Sequence, residues 1–169
     1  GIVPTLEGTL VYPGNQGGTN WYNPSYSPAT GLFYIPTWEN SSSTYRKGEE
    51  LPEFHDGQSF IGVGPRGGAT GDDVFGSIIA MDPKTMERKW TFRLNAPSPE
   101  GGVLSTASNV IFGGGRDGQF VALDARDGKL LWQTNLGPSV SAGPMTYMVN
   151  GKQYVSIQCG LALYTFALK

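Results

Sequence analysis

Three residues recur at one spacing: Ala80, Asp82 and Trp90 return as Ala122, Asp124 and Trp132, each displaced by 42 residues. A period of roughly 40–45 residues built from short strands predicts propeller blades of four strands each. Each position has a physical role in such a blade. Ala is small where strands crowd, Asp can hydrogen-bond its own turn, and Trp can cover the sheet of a neighbouring blade. One repeat cannot bury both faces of its sheet, so the pattern requires stacking.

The rest of the chain agrees with short strands. Among 169 residues there are 25 Gly and 12 Pro, while charged residues make up only 15%. Long charged helices and coiled coils need more Glu, Lys and Arg than that. β-branched and aromatic runs separated by Gly, Pro, Asn and Asp predict strands from Gly8–Tyr12 through to Leu161–Leu168. Asn150-Gly151 between two such runs predicts a two-residue hairpin, because both residues tolerate positive φ. The fold class that follows is all-β: a partial propeller of about three four-stranded antiparallel blades.

A degenerate third copy precedes the two clear ones. Leu32–Ile35 parallels Val110–Gly113, and Gly17-Gly18 is expected where Gly101-Gly102 lies one blade later. The blades then cover about 17–95, 101–136 and 140–169 of a single partial domain, with an inserted polar loop at about 38–75. Loops of that length are binding elements, lids or passive wraps. The last unit offers only about three strands, and a closed ring needs about four blades or more. Unpaired strand edges invite association. The chain is therefore expected to pair with the remainder of a propeller or with further copies of itself.

Composition removes several function classes. Lys and Arg number 12 against 14 Asp and Glu, a balance that predicts no nucleic-acid partner and no binding to an anionic membrane. No apolar run approaches the ~20 residues of a membrane span, and no basic-then-apolar signal-peptide layout opens the sequence. A single Cys, Cys159, excludes an internal disulfide, and a single His, His55, excludes a multi-His metal site.

Other clusters read as structural. His55-Asp56 with Glu49, Glu50 and Glu53 is a solvated loop surface, and Asp72-Asp73 is a turn without the ligand spacing of a Ca²⁺ loop. Gly113-Gly114-Gly115-Arg116 leads from strand to strand and predicts a blade hairpin, not a phosphate cradle. Ser105-Thr106 has no basic partner at a recognisable spacing. Cys159 precedes a strand rich in Leu and aromatics, as a buried inert thiol would.

Gly17-Gly-Thr-Asn-Trp21, Tyr26-Ser-Pro-Ala-Thr-Gly-Leu-Phe-Tyr-Ile-Pro36 and the tryptophan-bearing repeats together resemble the C-terminal part of the quinoprotein alcohol dehydrogenases. Gly114-Gly-Arg-Asp-Gly-Gln-Phe-Val-Ala-Leu-Asp124, Pro144-Met-Thr-Tyr147 and Gly151-Lys-Gln-Tyr-Val155 extend the likeness over nearly the whole chain. The resemblance implies a segment of an eight-bladed periplasmic propeller. In the intact enzyme, pyrroloquinoline quinone (PQQ) would lie near the axis with Ca²⁺ or a lanthanide, and electrons would pass to a cytochrome.

The resemblance also assigns the Asn-Trp pair, here Asn20 and Trp21, to the cofactor. An Asn amide can both donate and accept hydrogen bonds, and Trp offers a flat apolar surface. Read by themselves, the same residues would cap a turn and pack between blades. The family's catalytic Asp, metal ligands and vicinal disulfide belong to earlier blades, so this chain is expected to carry no catalytic residue and no metal ligand. Pro99-Glu100 stands before Gly101-Gly102 where methanol dehydrogenases carry Trp, and the family's Trp-containing extension is missing after Cys159-Gly160. The floor of the cofactor site is therefore expected to be simplified. No Cys-x-x-Cys-His for haem attachment is present. The competing expectation is a non-catalytic scaffold of the same repeats serving protein–protein interaction.

Overall fold

The computed structural model describes residues 2–48, 53–58, 60 and 73–167. The chain forms two compact units, Gly1–Gly18 with Asn40–Val74, and Thr19–Glu39 with Phe75–Lys169. In the first, β1 (Thr9–Val11) pairs antiparallel with β4 (Ser43–Tyr45). The turn before β4 is held by Gly14 N donating to Ser41 O at 2.9 Å and Asn15 N donating to Ser43 Oγ at 2.8 Å. The sequence pattern showed no strand at Ser43–Tyr45; a three-residue strand leaves no periodicity to detect. Glu49, Glu50 and Asp72 lie outside the described residues.

The second unit contains three antiparallel sheets. β2 (Ser25–Ser27), β3 (Leu32–Glu39), β5 (Phe75–Met81) and β6 (Arg88–Arg93) form the first, in that order. β7 (Leu104–Ser105), β8 (Val110–Gly114), β9 (Gln119–Asp124) and β10 (Leu130–Asn135) form the second. β11 (Met145–Val149), β12 (Lys152–Cys159) and β13 (Ala162–Phe166) form the third. No helix occurs among the described residues. The arrangement is an all-β partial propeller, with two four-stranded sheets and one of three strands.

The sheets stack because the middle one is apolar on both faces. Successive side chains of a strand point to opposite sides. Along β9, Val121 and Leu123 pack with Tyr34, Ile78, Ala80 and Ile111 in one core. Phe120 joins Val140, Val155, Ile157 and Cys159 in the other. Asn150 and Gly151 take φ of 49° and 77°, the left-handed pair that the β11–β12 hairpin requires.

The 42-residue repeat appears as one turn and one clamp. Asp82 Oδ1 accepts from Lys84 N at 2.8 Å, and Asp124 Oδ1 accepts from Arg126 N at 2.9 Å. Hydrogen bonds from the Arg126 side chain, then from its main chain, hold the Asp124 carboxyl down at about 2. Trp90 donates its indole N–H to Ala125 O at 3.0 Å, and Tyr34 donates its hydroxyl to the same carbonyl at 3.0 Å. The Trp90 ring lies on Gly128, where an added Cβ would stand 2.7 Å from it. Trp132, the repeat partner, is instead held edge-on by Phe120 and Phe166 and stays 41% exposed.

Two outcomes follow for denaturant unfolding. Trp90→Phe removes an N–H···O bond and part of the clamp, lowering stability by about 1–2 kcal/mol, while Trp132→Phe costs less than about 1 kcal/mol. Met86 occupies the repeat position of Gly128 with φ of 61° and an exposed side chain. Relief of that left-handed strain should make Met86→Gly stabilising by about 0.5–1 kcal/mol, net of the added chain entropy.

Candidate functional site

The inner ends of the three sheets meet where strands are shortest and backbones come closest. Ser25 pairs with Tyr34 as Leu104 pairs with Phe112, so the two inner strands β2 and β7 are equivalent. Counting back from these residues, Tyr22-Asn23 occupies the place of Gly101-Gly102. The expectation that Gly17-Gly18 would lie there is therefore corrected. The physical reason is that Asn23 fills the space its neighbours leave empty: a Cβ at Gly102 or at Gly143 would overlap Asn23 Oδ1. Asn23 was not singled out in the sequence, because a lone Asn before Pro24 looks like any turn residue.

Asn20 and Trp21 directly precede this inner end. Thr19 anchors the segment by donating its hydroxyl to Pro36 O at 2.9 Å. Trp21 N donates to Asn20 Oδ1 at 2.8 Å, so part of the carboxamide serves its own turn. The Trp21 ring is 73% exposed. Beneath it Tyr22 is buried, 4.5 Å away between ring centroids, and Trp38 meets Tyr22 edge-on at 5.7 Å. Three aromatic residues thus give a rigid base with one broad apolar ring surface facing solvent. Trp21 does not pack between sheets.

A polar group adjoins that base. Glu100 Oε1 lies 3.3 Å from Arg116 Nη1, and Glu100 Oε2 accepts from Ser139 Oγ at 3.2 Å. Ser98 Oγ donates to Glu100 Oε1 at 3.4 Å. Burial first, and then the Glu100 carboxylate, raise the Tyr22 phenol above its usual 10.0, while Arg116 opposes the rise. Glu100 therefore brings a charged, hydrogen-bonded group beside the aromatic base.

The other candidates behave as structural residues. Gly113 and Gly114 end β8 in the hairpin to β9. Ser105 Oγ is 2.6 Å from Ser25 Oγ, tying β7 to β2. Cys159 is buried, its thiol 2.7 Å from Pro138 O, and burial pushes its pKa up. His55 Nε2 lies 3.9 Å from Glu53 Oε2 on an exposed surface. Among the described residues no three His, Cys, Asp or Glu side chains converge as metal ligands. An apolar groove of about 650 Å³ lies between the second and third sheets, lined by Val110, Phe112, Leu131, Trp132, Val155 and Phe166.

Comparison with known proteins follows the same lines. The family model described as glucose/ethanol/alcohol dehydrogenase, β-propeller domain (PQQ), matches residues 73–155. A 1-butanol dehydrogenase (cytochrome c) of Thauera butanivorans is 40% identical over 90% of this chain and 23% of its own length. The solved quinohemoprotein alcohol dehydrogenase ADHIIG of Pseudomonas putida HK5 superposes with a TM-score of 0.81. It is 32% identical, over 92% of this chain and 24% of that one. A europium-containing methanol dehydrogenase gives a TM-score of 0.68 at 30% identity, over 88% of this chain and 26% of its own. The chain spans about a quarter of the length of the curated relatives it matches.

The Tyr22 environment can be read by titration. A phenol whose folded pKa is raised adds stability that is complete below the unfolded value near 10 and is lost as pH rises through the folded value. Glu100→Gln should bring the Tyr22 transition in tyrosinate absorbance down toward 10, and Arg116→Gln should move it further up. An unchanged curve in both variants would refute the contact.

Proposed function

Because the chain belongs to the quinoprotein alcohol dehydrogenase family, we propose that it is the C-terminal part of such an enzyme, contributing Asn20 and Trp21 to the cofactor surface. The observation that carries this reading is the Trp21 ring, largely exposed yet fixed from below by Tyr22 and Trp38. An exposed indole on a loop loses chain entropy without gaining burial, and a planar ligand stacked on it would restore the balance. The Asn20 carboxamide N–H is a donor of the kind that a quinone or carboxylate oxygen accepts. These residues fit a flat, oxygen-rich molecule better than a phosphate or a metal ion.

When bound, pyrroloquinoline quinone supplies the two-electron acceptor for oxidation of an alcohol to an aldehyde. What this chain contributes is binding and orientation. Trp21 would present the stacking face and Asn20 would donate to one of the cofactor's oxygens, while Tyr22 and Trp38 hold the Trp21 ring from below. The base that takes the alcohol proton and the ligands for Ca²⁺ or a lanthanide lie outside the chain in this reading. A cytochrome would take the electrons, in the periplasm, and the rest of the propeller, or further copies of the chain, would cover the open sheet face.

Binding and turnover separate the parts of the proposal. Titration with pyrroloquinoline quinone should quench tryptophan fluorescence saturably. Trp21→Ala should abolish the effect, and Asn20→Ala should weaken it about fivefold to tenfold, the worth of one hydrogen bond. No quenching by the unmutated chain, or an unaltered titration in both variants, would favour the scaffold reading. In a dye-linked assay with the quinone and Ca²⁺ the chain should not oxidise alcohols; clear turnover would show that the base and the metal ligands are present after all.

A further inference from the structure

Between Thr19 and the start of β2 at Ser25, the segment that carries Asn20 and Trp21 has no strand partner of its own. Its firmest attachment on the β2 side is Asn23. Asn23 Nδ2 donates to Val103 O at 3.1 Å, and Val103 N donates to Asn23 O at 2.9 Å. Gly102 N in turn donates to Ala142 O at 3.3 Å. With its oxygen seated over Gly102 and Gly143, the Asn23 carboxamide touches the inner ends of the second and third sheets while its backbone leads into the first.

We propose that Asn23 is a positioning residue for Asn20 and Trp21, and that Gly102 and Gly143 are glycines because its carboxamide occupies their side-chain space. The role rests on the cofactor function proposed above. Tyr22 and Trp38 hold the Trp21 ring from below and Thr19 ties the segment to Pro36 O, so the freedom left is where the segment enters β2. Hydrogen bonds made by both the main chain and the side chain remove that freedom at one residue. They do so at the place where the strand ladder has not yet begun. The contact at Gly102 is with the Asn23 side chain alone among the nearest atoms, so the overlap created by a methyl there can be relieved only by moving the carboxamide.

The full chain allows a direct test by thermal melting and by quenching of tryptophan fluorescence with pyrroloquinoline quinone. Asn23→Ala should fold but bind the quinone about fivefold to tenfold more weakly. Asn23→Asp keeps the shape yet cannot donate to Val103 O, and should show a similar loss. Gly102→Ala should lower both melting temperature and affinity. Adding Asn23→Ala to Gly102→Ala should return the melting temperature to that of Asn23→Ala, a non-additive coupling, while affinity stays low. Recovery of affinity together with stability in the double variant would overturn the positioning role, as would wild-type affinity in Asn23→Ala. If Gly102→Ala does not fold, the two Asn23 variants decide. Absence of quinone binding by the unmutated chain would remove the function and the positioning role together. The melting coupling would still decide separately whether the carboxamide fills the glycine seat.

Discussion

A sheet that is apolar on both faces cannot stand alone, and β9 makes that constraint explicit. Five of its six residues are buried, with alternate side chains serving two different cores. The second sheet is therefore stable only when covered twice, by the first on one side and the third on the other. The third sheet repeats the demand: Met145, Tyr147 and Leu163 on its other face are exposed. Apolar surface of this kind is worth roughly 25 cal/mol per Å² once covered.

The repeat carries out this stacking with few residues. Asp closes the turn that precedes the outer strand, and Trp reaches from that strand to the turn of the next sheet. There Gly128 leaves room for the ring, and Ala125 O takes the indole proton. Tyr34 shares the carbonyl, so one acceptor bonds to two strands of the neighbouring sheet. Met86 in the first sheet shows what degeneracy means physically. It holds the same left-handed turn as Gly128 against its own preference, so the turn is imposed by Asp82 and its hydrogen bonds rather than by the residue at the bend.

The parts of the fold that were legible in the sequence are those in which local chemistry and global architecture agree. The Ala-Asp-Trp spacing gave the sheets, Asn150-Gly151 gave a hairpin, and the buried Cys159 followed from its apolar strand. Two features escaped for a common reason. β4 is too short to show alternation, and the inner end of the first sheet has no glycine pair to mark it. In a sequence a glycine pair marks close approach, whereas the first sheet meets its neighbours with an Asn side chain and leaves the glycines to them. A sequence read one repeat at a time cannot reveal that exchange, because the complementary residues lie some 80 and 120 positions apart. Asn20 and Trp21 were legible only through resemblance. Nothing in their own spacing says that the ring points to solvent.

The placement of candidate ligand groups at the inner ends of the strands has a structural cause. Towards the outer strands, each sheet satisfies its backbone by regular ladders, and the side chains it leaves exposed, such as Leu131 and Trp132, are apolar. At the inner end the ladders have not begun, the backbones crowd, and polar groups must find partners one at a time. Glu100 does so with Arg116, Ser98 and Ser139. Asn23 does so with Val103. Such a region holds fixed donors and acceptors with the exposed Trp21 ring nearby. The same crowding accommodates a charged residue at position 100: its carboxylate is ion-paired with Arg116 and hydrogen-bonded by Ser98 and Ser139.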